Sequence, residues 1–415
     1  MRTYLADFIK DKPEGKEAAA ILRKCVHCSF CTATCPTYQL LGDELDGPRG
    51  RIDLIKQILE GAPVTAKTQL HLDRCLLCRL CETTCPSGVQ FGRLLTIGRL
   101  IVETRVERNG IETFKRRALL AAIPNPTLFN PLLRLARWIR PLLPASLQRQ
   151  VPGSPANAKP WPQGNHGRRM LVLAGCVQRG LSPATNAAAA RVLDRLGITL
   201  LVAPNAGCCG AVSLHLGAPD EAHTYVKRNI DAWWPHVEQG AETIVITASG
   251  CGTMVKDYGY LLAHDPAYAD KARRISALTK DIGEVIAAER ERVLVLTGHQ
   301  PPAPTHRKIA FHAPCTLQHG LQLKGKIEAL LAALGFDLVP VTGAHQCCGS
   351  AGTYSILQPE LSQRLLANKI KALTANAPAA ILTANIGCQS HLQSATALPV
   401  RHWIEALDDM LSGSP

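Results

Sequence analysis

The sequence predicts a multidomain chain, in which a mostly α-helical N-terminal domain is followed by two duplicated α/β modules with parallel sheets. Three observations predict it. The run "CVHCSFCTATCP" from Cys25 recurs as "CLLCRLCETTCP" from Cys75, with all four cysteines and the proline offset by 50. A longer unit also occurs twice: a single cysteine, 31 residues, an adjacent pair followed by glycine, then 41 or 39 residues to a last cysteine. Finally, short apolar runs alternate with helical stretches through the second half, as in parallel sheets joined by crossover helices.

Composition bounds what such a chain can do. Its 415 residues suit about three domains, and an apolar share of 46% can bury proper cores. The N-terminal "MRTYLADFIKDKPEGKEA" has no apolar h-region, and no apolar run approaches the ~18–20 residues that span a bilayer. A cytoplasmic protein with reduced thiols is therefore expected. Sixteen cysteines in that setting imply metal or redox chemistry rather than structural disulfides. The net charge of +13 is local: residues 1–170 hold 26 Lys/Arg against 14 Asp/Glu, the remainder 20 against 19. Nucleic-acid binding is not expected, because aromatics are only 5% of residues and no recognition motif accompanies the charge.

Residues 1–104 form the first predicted domain, helical in stretches such as "GRIDLIKQILEG" between the two cysteine runs. The spacing C-x2-C-x2-C-x3-C-P is the bacterial ferredoxin run. Three closely spaced thiolates wrap one corner of a [4Fe–4S] cube, and the fourth reaches the other cluster when two runs are paired. Cys25, Cys28, Cys31 and Cys85 are thus expected on one cluster, and Cys75, Cys78, Cys81 and Cys35 on the second. The alternative is a pair of zinc sites, although zinc rarely uses this spacing twice over. His27, inside the first run, is read as facing solvent or tuning the potential rather than ligating.

Residues 105–169 read as a basic, Pro-rich linker with a short helix. No acidic residue occurs from Thr113 to Val192, while Thr113 to Arg169 holds ten basic ones. "NPTLFNPLLRLARWIRPLL" sets Arg134, Arg137 and Arg140 among Leu132, Leu135, Trp138, Ile139 and Leu142. An acid-free amphipathic helix over 127–143 suits an anionic membrane surface. It equally suits a linker helix docked on the ferredoxin domain or on a partner subunit.

The two α/β modules are predicted at 170–290 and 308–415, with 291–307 as a connector that runs into the Pro-rich "TGHQPPAPTHRK". "MLVLAG", "TLLVAP", "TIVITAS", "KIAFHAP", "FDLVPV" and "AAILTAN" read as buried strands. A further echo pairs "TKDIGEVIAA" with "RHWIEALDDM". The cysteines fall just after strand ends, where open α/β sheets carry their sites. One set is Cys176, Cys208, Cys209 and Cys251; the other is Cys315, Cys347, Cys348 and Cys388. Gly210 and Gly349 allow the backbone after each pair to turn tightly or approach a bound core. Such cysteines could be buried small hydrophobes, zinc ligands, a thiol redox site or iron–sulfur ligands, and the duplication weighs against the first. His215, His312, His319, His345 and His391 lie near them in sequence as candidates for an extra ligand or proton donor.

The N-terminal domain resembles the helical two-cluster domain of succinate dehydrogenase iron–sulfur subunits and heterodisulfide reductases. The duplicated unit resembles the cysteine-rich CCG domain of the heterodisulfide reductase catalytic subunit, where a terminal C-x-x-C completes five thiolates around a non-cubane cluster. This chain departs from that pattern: Asn385 and Ala248 stand three residues before Cys388 and Cys251. Four thiolates per module remain, which puts a five-cysteine cluster in doubt.

The whole layout, with the phrases "DELDGPRGRI" and "GCVQ", is similar to the family of glycolate oxidase (glycolate dehydrogenase) iron–sulfur subunits. That resemblance implies an electron-transfer subunit, peripheral on the inner face of the cell membrane. It would take electrons from FAD-containing flavoprotein subunits that oxidise glycolate to glyoxylate, and pass them toward quinone. Two [4Fe–4S] clusters are implied, with room for one or two more in the CCG modules. No G-x-G-x-x-G follows a strand and no Walker loop is present, so no flavin is expected on this chain and no catalytic residue is assigned. Related layouts in D-lactate and anaerobic glycerol-3-phosphate dehydrogenases, or a heterodisulfide-reductase-like thiol/disulfide reductase, are the alternatives.

Overall fold

A computed structural model describes residues 1–144, 148, 151–154, 158–298 and 308–413. Most of the connector, 299–307, lies outside the described residues. The chain gathers into two compact units, one of residues 1–116 and 345–365, the other of residues 117–344 and 366–415.

The first unit is helical. Prolines at the first helical position, where no amide partner is lost, start helices Pro13–Lys24 and Pro48–Leu59. Helix Phe91–Glu103 buries Phe91, Leu94, Leu95 and Val102 at helical spacing against Ile55, Leu59 and Leu22. Gly98 makes that approach possible, since a Cβ there would lie 2.7 Å from the Ile55 side chain. The segment 345–365 is fastened to the same unit by three long-range bonds. Tyr354 Oη donates to the Arg74 carbonyl at 3.1 Å, Arg364 Nη2 to the Leu40 carbonyl at 2.7 Å, and Gln346 Nε2 to Gln39 Oε1 at 3.1 Å.

The second unit holds two four-stranded parallel sheets. Strands β1 (Arg168–Val172), β2 (Ile198–Val202), β3 (Ile244–Ile246) and β4 (Thr279–Asp281) lie in the order β2-β1-β3-β4. Strands β5 (Ile309–His312), β6 (Leu338–Val339), β7 (Ala380–Thr383) and β8 (Val400–His402) repeat it as β6-β5-β7-β8. Met170 pairs with Leu200 and Phe311 with Leu382 in register. One core runs across both sheets, through Val172, Ile198, Val245, Phe311, Leu331, Leu382 and Trp403. A second surrounds Trp233, Tyr258 and Ile244.

The apolar runs form β1, β2, β3, β5, β6 and β7. The strands β4 and β8 come from the echoing segments instead. Each is three residues long and ends on a polar residue that caps the following helix: Asp281 accepts from the Gly283 amide, and His402 Nδ1 from the Ile404 amide.

Helix Pro126–Ile139 packs on the first module through Leu133, and Arg137 donates to the Gly180 carbonyl at 3.0 Å. Its other side leaves Leu128, Leu132, Leu135 and Trp138 exposed, continued by Leu142. Among the described residues no helix is long and apolar enough to cross a membrane.

Candidate metal centres

The two ferredoxin-type runs fold alike. In each, a loop leads into a five-residue helix, Phe30–Thr34 in one and Leu80–Thr84 in the other. Non-glycine residues take left-handed backbone at matching positions, His27 (φ 56) with Leu77 (φ 53) and Ser29 (φ 67) with Arg79 (φ 57). That conformation is costly for side chains bearing a Cβ. At Leu77 it turns the amide inward, where it donates to Cys75 Sγ at 3.5 Å, as in an anion-binding concavity.

Two cavities result. Cys25, Cys28, Cys31 and Cys85 line one, with Cys81 at its wall; Cys35, Cys75, Cys78 and Cys81 line the other. No carboxylate lines either, and the donors are soft sulfur, which suits iron–sulfur clusters. Burial pushes the Cys31 and Cys81 thiols up, and the neighbouring thiolates add to it: Cys25 and Cys85 around Cys31, Cys78, Cys75 and Cys35 around Cys81. The first cavity lies at the surface, with Cys28, Val26 and Phe30 exposed. The second is deeper.

Around the second quartet lies a charged network that the cysteine spacing does not announce. Asp46 is fully buried and meets Arg51 at 3.3 Å and Arg74 at 2.8 Å, with His71 Nδ1 3.2 Å away. Arg51, also buried, donates to the His71 carbonyl at 2.8 Å and to Thr37 Oγ1 at 3.1 Å. Thr37 Oγ1 lies 3.2 Å from Cys35 Sγ. Arg99 Nη2 binds the Leu72 carbonyl at 2.7 Å and the Cys75 carbonyl at 2.8 Å. Two guanidinium groups therefore hold the segment that delivers Cys75. The phrase "DELDGPRGRI" contains both Asp46 and Arg51.

In the first module, Cys176 follows β1, the pair follows β2 and Cys251 follows β3. Because β2, β1 and β3 are neighbours, the four thiols converge at the carboxyl edge of the sheet. Hydrogen bonds link Cys176 to Cys208, Cys208 to Cys209, and Cys209 to Cys251. Donation from Cys176, then Cys209, holds the Cys208 thiol down to about 4, while Cys176 and Cys209 are pushed well up. The Gly210 amide also donates to Cys208 Sγ at 3.5 Å. Gly210 has φ +90 and a Cβ there would sit 3.1 Å from the Ala222 carbonyl, so glycine is needed on both counts. Buried Asn229 fixes the loop by donating to the Cys208 carbonyl at 2.8 Å, and Tyr258 Oη donates to the Cys209 carbonyl at 2.9 Å.

The second pair repeats this local design. The Gly349 amide donates to Cys347 Sγ at 3.4 Å, and Gly349 has φ +89 with no room for a Cβ against the Ser362 carbonyl. Cys347 and Cys348 belong to the first unit, Cys315 and Cys388 to the second. Near Cys388, Asn385 Nδ2 donates to Sγ at 3.6 Å while its Oδ1 accepts from the Gly250 amide at 3.2 Å.

The histidines take separate places. His27 Nε2 lies 2.6 Å from Met1 Sδ at the surface. His312 is buried with Nδ1 3.0 Å from Thr383 Oγ1, and burial pushes its pKa well down. His319 is buried in the turn Thr316–Gly320, His215 is exposed, and His345 and His391 are half-buried.

Comparison with known proteins agrees with this inventory. Residues 21–89 match the family described as the 4Fe-4S dicluster domain, and residues 170–256 and 309–393 match the cysteine-rich domain. The chain is 53% identical over 411 residues to the glycolate oxidase iron-sulfur subunit of Escherichia coli (strain K12), covering 99% of each. It is 28% identical over 424 residues to the probable glycolate oxidase iron-sulfur subunit of Bacillus subtilis (strain 168), covering 94% of this chain and 91% of that one. Lactate utilization protein A of the same Bacillus subtilis strain is 27% identical over 202 residues, 48% of this chain and 80% of its own.

Proposed function

The chain belongs to the family of glycolate oxidase iron–sulfur subunits, and on that premise we propose that it relays electrons from a partner flavoprotein that oxidises glycolate to glyoxylate, toward quinone. It is an iron–sulfur electron carrier and part of a larger oxidoreductase complex. The observation that carries the relay is the pair of thiol-lined cavities within one unit.

Glycolate gives up two electrons and two protons on becoming glyoxylate, a pair that a flavin on the partner would be suited to take. An iron–sulfur cluster, when bound, supplies one-electron chemistry at potentials of about −700 to +450 mV. Cys25, Cys28, Cys31 and Cys85 would hold the first cluster, and Cys75, Cys78, Cys81 and Cys35 the second. Leu77, in its left-handed conformation, aims its amide at the Cys75 sulfur, and Arg51 and Arg99 hold the segment that delivers Cys75. Cys176, Cys208, Cys209 and Cys251 form a further thiolate set, and the repeat gives Cys315, Cys347, Cys348 and Cys388 the corresponding sequence positions. Anaerobic purification with iron and sulfide counting, followed by EPR, tests the reading. About eight irons are expected from the two quartets alone, and more where the cysteine-rich modules are loaded. Glycolate should reduce these centres only when the flavoprotein is added. Zinc in place of iron at the quartets would overturn it.

The exposed stripe of Leu128, Leu132, Leu135, Trp138 and Leu142, beside Arg134 and without an acidic residue, supports peripheral contact with the inner face of the membrane. Arg137 is a poor probe because it is tied to Gly180. The double variant Leu135→Ser, Trp138→Ala should lower co-flotation with anionic liposomes severalfold at unchanged iron content. Undiminished flotation would remove the contact.

A further inference from the structure

We propose that Asn385 is a positioning residue that makes the two cysteine-rich modules unequal as electron acceptors, with the second the easier to reduce. The inference rests on the reading above, in which Cys388 helps to hold an iron–sulfur centre.

Asn385 stands three residues before Cys388, at the start of helix Ile386–Gln393, where the related motif supplies a fifth thiolate. Its side chain makes no capping bond to that helix. Instead Oδ1 accepts from the Gly250 amide at 3.2 Å and Nδ2 donates to Cys388 Sγ at 3.6 Å. The orientation is chemically forced. A backbone amide offers only a proton, so the carboxamide oxygen must face Gly250, and the NH2 group is left facing the sulfur. The surroundings hold it there: the Ser249 amide donates to the Ala384 carbonyl at 3.2 Å, and Ser249 Oγ lies 2.7 Å from Thr316 Oγ1. One side chain thus touches the backbone beside Cys251 and the sulfur of Cys388.

In the first module the equivalent position is Ala248, which is buried and has no side-chain donor. Adding an electron to an iron–sulfur centre increases the negative charge on its sulfurs. A donor aimed at one of them stabilises the reduced state more than the oxidised one, and an extra thiolate would do the reverse. Asn385 therefore replaces an anion by a neutral donor at one centre only. One electron enters, no bond at Asn385 forms or breaks, and its proton stays on Nδ2.

The test is an EPR-monitored redox titration of the full chain carrying Asn385→Asp, with Asn385→Ala as a second variant. Aspartate keeps the shape and the acceptor for Gly250, removes the donor and adds a carboxylate charge beside the sulfur, whereas alanine only removes the donor. Both variants should make one centre harder to reduce, the alanine about tenfold, about 59 mV for one electron, and leave the others unchanged. The aspartate should shift it further than the alanine. Unchanged potentials, or equal shifts at several centres, overturn the role of Asn385. Iron content separates this from failure of the underlying reading. More than about eight irons, part of them lost in Cys388→Ser, with no shift sinks the Asn385 proposal alone. Iron content unchanged by Cys388→Ser sinks it together with the reading that Cys388 holds a centre, and leaves the relay through the two quartets standing.

Discussion

Cys35→Ser is expected to abolish the cluster of the second motif while sparing the first, at a loss of about four irons of eight. The sequence neighbours of Cys35 are Cys25, Cys28 and Cys31, yet its sulfur lies in the cavity lined by Cys75, Cys78 and Cys81. Cys85→Ser should do the opposite, since Cys85 lines the cavity of Cys25, Cys28 and Cys31. Serine oxygen is a harder and poorer ligand than thiolate for iron in a cluster. EPR of the reduced variants distinguishes the two, because one signal should vanish in each. Should Cys35→Ser remove the signal that Cys25→Ser removes, the exchanged fourth ligands are wrong.

Arg51→Met should cost about 3 kcal/mol of stability, the lower end of the range for breaking a buried ion pair. Arg51 is 1% and Asp46 0% exposed. Removing the guanidinium strips one of two arginines from a buried carboxylate and also leaves the His71 carbonyl and Thr37 without a donor. Arg74 still reaches Asp46, which keeps the effect from the upper end. The double variant Arg51→Met, Asp46→Asn should recover part of the loss, because the fully buried carboxylate becomes neutral while Arg74, its other partner, is partly exposed and can turn to solvent. Urea unfolding followed by far-UV circular dichroism and by visible absorption of the clusters checks both. A cost under about 1 kcal/mol for the single change would show that the pair is not what holds this region.

Much of this molecule is legible because ligation by several sulfurs constrains spacing tightly, and duplication shows the constraint twice. The sixteen cysteines and the apolar strand runs were readable for that reason. Strands β4 and β8 were not, since three residues such as Thr279–Asp281 carry too little apolar pattern to stand out. Only the echo between their segments hinted at a shared role, which the structure identifies as a short edge strand followed by a capped helix. Asp46 and its arginines escaped notice because Arg74 is 28 residues away and charged residues in a helix are ordinarily solvated. Asn385 was visible as a departure from a motif, but its two bonds depend on Gly250, 135 residues earlier.

The allocation of residues 345–365 to the first unit has a consequence for biosynthesis. The N-terminal helices emerge from the ribosome early, but the segment that donates to Arg74 and Leu40 is made roughly 230 residues after Arg116. At about 5–20 residues per second, the first unit waits roughly 10–45 s for its last piece. During that interval the side of the Cys75 segment later reached by Tyr354 is open to solvent. Until then the Arg74 and Leu40 carbonyls lack the donors that this segment supplies.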